Sequence, residues 1–360
     1  MVAGICVAVF FLTKPLFPVA WIRACLAAIP VFLPVGPMET LGNAANLHWY
    51  LLWLAPRLVL SKPASLGGRL ATFAASFAVA LSEVIAGMFL PLALWMAWKR
   101  KSYFAPLGLV AGVALQILTT MFNPRPASLR VENSVEPASV LIGFFVQPVA
   151  ALWQTDSRTL ISNLNNFGGL AVLFPSALLA VLTVMVLKFG HQRWKAGAIC
   201  LVAAAFSCWS ASVLINANPM FDYARFTAED WQTMFDYSRY AAAPGMFLLA
   251  LIPVALSVLH EMPATRNSHF FARLQGVSSG IFALLILVSF FPATTLREDG
   301  PRWSPAVAEA RENCRSGSSP ASDTVTAAPA LWKFARIEVP CQVLEKGPSG
   351  FHAASEGTRN

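Results

Sequence analysis

Apolar residues in this chain gather in long unbroken runs, separated by short polar or basic connections. The runs cover residues 3–13, 16–35, 47–60, 70–98, 104–122, 138–153, 167–188, 197–215, 242–260 and 274–293. A helix needs roughly 20 predominantly apolar residues to cross the hydrocarbon of a bilayer. A transmembrane barrel strand would instead alternate apolar and polar positions over about ten residues. Continuous runs rich in Leu, Ala and Phe therefore predict an all-α fold, a polytopic transmembrane helical bundle of about 8–10 membrane segments. This bundle is expected over residues 1–293, with a small extracytoplasmic tail over 294–360.

Two runs are irregular. Run 70–98 is long for one span and carries basic residues at both ends, so two half-helices meeting near Ser82 and Glu83 are expected. A break that reaches a wet cavity keeps the Glu83 carboxylate solvated, which a continuous helix in lipid would not. Run 138–153 contains Gln147-Pro148 and is flanked by polar segments, which suits a re-entrant or interfacial piece; an ordinary span is the alternative. Run 3–13 is too short to cross and lacks a basic leader and a small-residue cleavage pattern. The chain is expected to begin part-way into a helix, as an N-terminally truncated relative of a longer protein. No internal repeat with a period of about 20–50 residues is visible.

Composition agrees with lipid as the solvent. Of 360 residues, 56% are hydrophobic and 12% charged, and the mean hydropathy is +0.59. The charged share is about half that of ordinary globular domains. The net charge of +8 could point to nucleic acid, but the basic residues form short clusters between apolar runs: Lys62 and Arg69; Lys99, Arg100 and Lys101; Lys188, Arg193 and Lys195; Arg266 and Arg273. Glu261 is the one acid among them. This separation follows the positive-inside rule, which places these connections in the cytoplasm and the 216–241 loop and the tail outside. A multi-pass protein of the cell membrane is expected, with lipid and not nucleic acid as its partner.

Cys6, Cys25, Cys200 and Cys208 lie within apolar runs and read as small buried hydrophobes. Cys314 and Cys341 are the two cysteines of the polar tail, and in an oxidising compartment they suit one disulfide. It would close a loop of roughly 27 residues, worth on the order of 3 kcal/mol by chain entropy. A short helix is expected near 307–314 and a strand within "LWKFARIEVPCQV"; the Ser-, Gly- and Pro-rich stretch between them reads as a loop.

Three constellations could carry chemistry. "ETLGNAANLHWYLL" supplies Glu39 as an acid or base, Asn43, Asn46 and His48 as hydrogen-bonding groups, and Trp49 and Tyr50 as flat amphipathic surfaces. Sugars and polar lipid headgroups are bound by such mixtures; helix capping by the asparagines and an interfacial aromatic belt are the structural alternatives. The 216–241 loop interleaves Asp222, Glu229, Asp230 and Asp236 with aromatics, and it ends at Arg239 and Tyr240, which could clamp a phosphate. An amphipathic surface helix is its alternative. Glu83 is the third candidate. No phosphate-binding lysine loop, zinc spacing or nucleophile elbow is present; no cofactor is indicated, and a divalent cation stays open.

The chain resembles the polytopic envelope proteins of actinobacteria in the wider GT-C glycosyltransferase group. The resemblance rests on "GNAANLHWYLL" at 42–52, "LSEVIAGMFLPLALWMAWKRK" at 81–101, "LVAGVALQ" at 109–116, "SRYAAAPGMFLL" at 238–249, and the tail's "CR" at 314 and "VPC" at 339–341. It implies transfer of a sugar from a polyprenyl-phosphate donor to an envelope glycan acceptor outside the membrane. It also implies a carboxylate, Glu39 or Glu83, as catalytic base, and binding by Asn43, Asn46, His48, Trp49, Asp222, Asp236, Arg239 and Tyr240. Such families carry an acidic residue in an earlier external loop that this sequence does not contain. A transporter or flippase for a lipid-linked substrate, and a non-catalytic membrane scaffold, are the other readings.

Overall fold

With no water to satisfy backbone groups, apolar runs in lipid close their own hydrogen bonds as helices, and the structure is mostly helical. A computed structural model describes residues 1–36, 40, 44–123, 135–154, 156–262, 276, 280, 284, 302–317, 321–326 and 336–346. The chain divides into two compact units, Met1–Pro292 and Ala293–Asn360. The first begins with α1 (Val2–Leu12), α2 (Ala20–Phe32), α3 (Leu47–Leu60), α4 (Leu66–Ser82), α5 (Leu90–Arg100), α6 (Phe104–Phe122) and α7 (Pro137–Phe144). It continues with α8 (Ser157–Phe167), α9 (Leu173–Phe189), α10 (Gln192–Ile215), α11 (Ala228–Thr233), α12 (Ala242–Leu249) and α13 (Leu251–Glu261). Run 274–293, Arg266 and Arg273 lie outside the described residues, apart from positions 276, 280 and 284.

Among the described residues, four stretches are long and apolar enough to cross a membrane: Phe104–Phe122, Ser157–Phe189, Gln192–Ile215 and Arg239–Glu261. Val2–Leu12, Ala20–Phe32, Leu66–Ser82 and Pro137–Leu152 are shorter apolar helices. The most apolar window of Arg239–Glu261 is 89% buried, against 17% for Ser157–Phe189. The first is the hub of the unit, and α3 and α10 pack directly on its α12 portion. Trp53 and Phe89 both meet Phe247 there, at 5.6 and 6.0 Å between ring centroids. The outer helices instead expose Met121, Phe122, Phe174 and Leu170. Such large apolar side chains in rows would drive aggregation in water, whereas hydrocarbon tails solvate them without cost.

Sequence decides where helices stop. Run 70–98 breaks at Glu83, which has extended dihedrals (φ −155°, ψ 116°) between α4 and a 3₁₀ stretch, Val84–Phe89, that leads into α5. Run 138–153 widens after α7 into a π-turn at Phe145–Val149 and then a 3₁₀ turn at Ala150–Leu152. Pro148 inside the π-turn has no N–H to give, so an ordinary α ladder cannot continue through it. The stretch Ser157–Phe189 is also interrupted, at Gly168, whose φ of +56° suits glycine. Residues 154–166, expected as a loop, contain the amphipathic helix α8, which buries Leu160 and Ile161 and exposes Arg158, Asn165 and Asn166. Asp156 caps it, accepting from Thr159 N–H at 2.9 Å.

Helix pairs are fastened by close backbone approach or by polar ties. The α4–α6 pair is the most extensive helix contact of the unit, and it forms because Gly108 and Gly112 lie four apart on one face of α6. A Cβ on Gly112 would sit 2.6 Å from Ala80 Cβ and 2.7 Å from Phe77 O. Small residues at this spacing let helices meet backbone to backbone where lipid gives no hydrophobic drive for association. At the basic end, Arg193 and Trp194 of α10 both bond Glu261 at the end of α13, Trp194 Nε1 at 2.7 Å. This explains why Glu261 stands among the cationic connections.

The second unit contains α14 (Trp303–Arg315), β1 (Ser322–Thr326), β2 (Arg336–Pro340) and α15 (Cys341–Lys346). The strands pair antiparallel, Thr324 opposite Glu338. Val325, Ala310 and Leu344 form a small core around the Cys314–Cys341 disulfide, and Arg311 Nε donates to Leu344 O at 2.7 Å. The expected disulfide is present. The helix extends beyond 307–314, and β1 occupies part of the stretch expected as a loop.

Gly112→Leu is expected to force α4 and α6 apart and cost about 1–3 kcal/mol or more by overpacking. Thermal unfolding in detergent checks this, and the exposed-face change Leu115→Ala should leave the midpoint nearly unchanged.

Candidate functional site

The helix break at Glu83 brings a carboxylate to the first turn of α3. Glu83 Oε1 accepts from Ile85 N–H at 3.3 Å, so the side chain takes up a backbone donor that the break exposes. Its Oε2 lies 3.7 Å from His48 Nε2. On the other side of the ring, His48 Nδ1 lies 2.9 Å from Ala45 O. A carbonyl only accepts, so Nδ1 carries a proton and Nε2 is the nitrogen presented to Glu83. The two side chains are 22% and 18% exposed, shielded from bulk water but reachable.

The third charged group comes from the hub helix. A 3₁₀ turn, Arg239–Ala241, opens directly into α12; the His48 ring lies 4.4 Å from Trp49, on which the next residue, Tyr240, packs, so the Arg239 charge comes within electrostatic reach of His48. A cation at the start of a helix opposes the helix dipole, so guanidinium and helix end add up to a positive field that favours an anion. Tyr240 packs edge-on against Trp49 at 5.5 Å and against Phe221 at 5.3 Å. Trp49 is 2% exposed, and its indole Nε1 has no hydrogen-bond partner among the described residues. Asn46 precedes α3 but its side chain makes no cap to that helix, so the capping alternative does not account for it; it is buried, at 2% exposure.

Of the residues singled out in the sequence, Asn46, His48, Trp49, Glu83, Arg239 and Tyr240 thus lie on three neighbouring segments. Glu39 and Asn43 lie outside the described residues. Asp222 and Asp236 stand in the loop that delivers Arg239. Asp222 Oδ1 accepts from Ser139 Oγ at 2.6 Å and from Glu136 N at 3.3 Å, and Ser139 Oγ in turn accepts from Ala224 N at 2.9 Å. Asp236 Oδ1 accepts from Tyr237 N at 2.7 Å.

This loop is not one amphipathic helix. Its helical part is the six-residue α11, closed by a capping box between Thr227 and Asp230, and those bonds hold the Asp230 carboxyl below the usual aspartate range. The rest folds on an aromatic nucleus. Tyr223 stacks on Trp231 at 5.8 Å, and Phe226, Phe235 and Tyr237 pack around them.

Sequence reasoning flagged Gln147 as a helix irregularity but missed its role in presenting Arg239. Fully buried in the π-turn, it donates through Nε2 to Asp236 O at 2.6 Å and to Tyr223 OH at 3.1 Å, and it accepts through Oε1 from Ser238 N at 2.9 Å. The proline next to it was the available signal: Pro148 forces the widened turn that points an amide out of the helix.

Among the described residues no set of three or more His, Cys, Asp or Glu side chains is placed to hold a metal ion. Two cavities lie elsewhere. One of about 80 Å³ sits beside Trp194 and Glu261; the other, about 290 Å³ and almost wholly apolar, lies among Phe144, Leu179, Val184, Val202 and Leu248. His48 and Glu83 line neither, and the chemistry argues for their site over these volumes. No family model, curated protein or solved structure matches the chain.

Gln147→Leu would remove the side-chain amide that Asp236 O, Ser238 N and the buried Tyr223 OH all bond. A destabilisation of about 2–4 kcal/mol is expected, with faster proteolysis within 216–241. Equal protease protection in variant and parent would show that Gln147 does not hold this loop.

Proposed function

We propose that the chain is an integral membrane glycosyltransferase of the GT-C kind, or a truncated relative, that moves a sugar from a polyprenyl-phosphate donor to an envelope glycan acceptor. The observation that carries this reading is the convergence of Glu83, His48 and Arg239 at a helix break in a unit whose outer helices are solvated by lipid. A transferase of this type needs a base for the acceptor hydroxyl, and Glu83 beside His48 supplies one. It needs positive charge where the departing polyprenyl phosphate gathers negative charge, and Arg239 at the start of the hub helix supplies that. Trp49 and Tyr240 offer flat faces to a sugar ring, and Asn46, with Asn43, hydrogen bonds to hydroxyls. Glu39 is retained as a second base, and Asp222 and Asp236 as parts of the loop that presents Arg239. The site and the disulfide-bearing tail are assigned to the extracytoplasmic side, because the basic connections prefer the cytoplasm and disulfides persist in oxidising compartments.

One observation favours a second reading. Broken helices that bring polar groups into a membrane unit, as at Glu83 and Gln147, also occur in transporters of lipid-linked substrates.

Protein in lipid nanodiscs, given a panel of labelled polyprenyl-phosphate sugars and glycan acceptors, is expected to form the transferred product. Glu83→Gln should lower the rate about 10²–10⁴-fold, and Arg239→Gln should slow it too. Translocation of the labelled lipid across proteoliposomes without transfer would establish the second reading instead. Absence of both would sink the two together and leave a scaffold.

A further inference from the structure

Glu83 and Arg239 carry opposite charges at the site, and an arriving anion upsets that balance. We infer that the site takes up about one proton with each phosphodiester anion it binds, and that His48 Nε2 receives it. This rests on reading the site as one that handles phosphate.

Within the imidazole the geometry leaves the proton a single place. His48 Nδ1 is committed to Ala45 O at 2.9 Å, so Nε2 is the one ring position open to protonation, and it stands 3.7 Å from Glu83 Oε2. Glu83 draws a proton to Nε2. Burial of the ring opposes it first, and Arg239 with the positive end of the hub helix repels it further. A phosphodiester held by the Arg239 guanidinium cancels that repulsion and adds a second negative neighbour, so both forces then favour an imidazolium.

Glu83 is the one rival acceptor, and His48→Gln separates the two because uptake on the carboxylate would survive it; the phenols and the thiol at the site cannot take over this role. Tyr240 faces Trp49, Cys208 of α10 lies within electrostatic reach of Glu83, and Tyr50 on α3 itself shares a 2.9 Å hydrogen bond with Thr40. A phenol or a thiol is neutral or negative, never positive.

Calorimetry on nanodisc-embedded protein tests this with methyl farnesyl phosphate, a phosphodiester that keeps one negative charge throughout about pH 5–8, where histidine titrates. Titrations in two buffers of different ionisation heat report the proton count. The expected result is uptake approaching one proton at a pH where free His48 is neutral. Affinity should fall about tenfold per pH unit between the free- and bound-state titration points of His48. His48→Gln should bind with little uptake and a flat pH profile, and the wild-type profile stands on its own if that variant does not fold. Dimethyl phosphate run in parallel identifies the source: proton-coupled binding of both probes means that a soluble phosphodiester suffices, and of the farnesyl probe alone that the ligand is lipid-linked. A flat wild-type profile with no uptake for either probe overturns the inference, as does unchanged uptake in His48→Gln. Sugar transfer without proton uptake would remove this inference and leave the glycosyltransferase; proton-coupled binding without transfer would do the reverse.

Discussion

Backbone groups freed by a helix break must find partners inside the protein, because lipid offers none. That constraint organises the first unit. At Glu83 the break is met by the carboxylate itself, which accepts from Ile85 N–H. At the π-turn the interruption turns out the Gln147 amide, which meets the same need in the adjoining loop by bonding Asp236 O and Ser238 N. Each interruption puts a polar side chain where an unbroken helix would have none, and the two interruptions serve one place: one supplies a carboxylate and the other fixes the loop that supplies Arg239.

Electrostatics then follows from architecture. Arg239 stands at the start of the most deeply buried helix, where helix dipole and side chain carry the same sign. Glu83 stands on a neighbouring segment beside the neutral His48 and offsets that field in the absence of an anion. Such a set is sensitive to small changes in charge, which is the property that anion binding and proton transfer both use. The apolar groove near Phe144 and Leu248 offers about 290 Å³, but its Ser176 and Thr183 hydroxyls donate to nearby helix carbonyls at 2.6 and 2.8 Å. It has volume without available chemistry.

Much of this was legible in the sequence where one residue type controls the outcome. Basic residues at both ends of run 70–98 demanded a break, and Glu83 marked where it falls. Pro148 marked the second. Two cysteines in a polar tail left one pairing. Other features were hidden because they depend on a partner distant in sequence. β1, Ser322–Thr326, is polar and short and becomes a strand only against Arg336–Pro340. Helix α8 is too polar to register as an apolar run, and it is held by its Asp156 cap and two buried residues. The Gly108–Gly112 pair reads as ordinary glycines until α4 is laid against it. Likewise His48 and Glu83 were separate candidates, and only the fold makes them neighbours.

The central claim is that Glu83 stands at an accessible break and not within a sealed helix core. With the four unpaired cysteines replaced by alanine, Glu83→Cys and Ala80→Cys can be compared in proteoliposomes by their rates of reaction with a charged thiol reagent on each side of the membrane. The account predicts rapid modification of Glu83→Cys from one side and none at Ala80→Cys, which is fully buried. A thiol at position 83 as inert as that at position 80, from both sides, would contradict it.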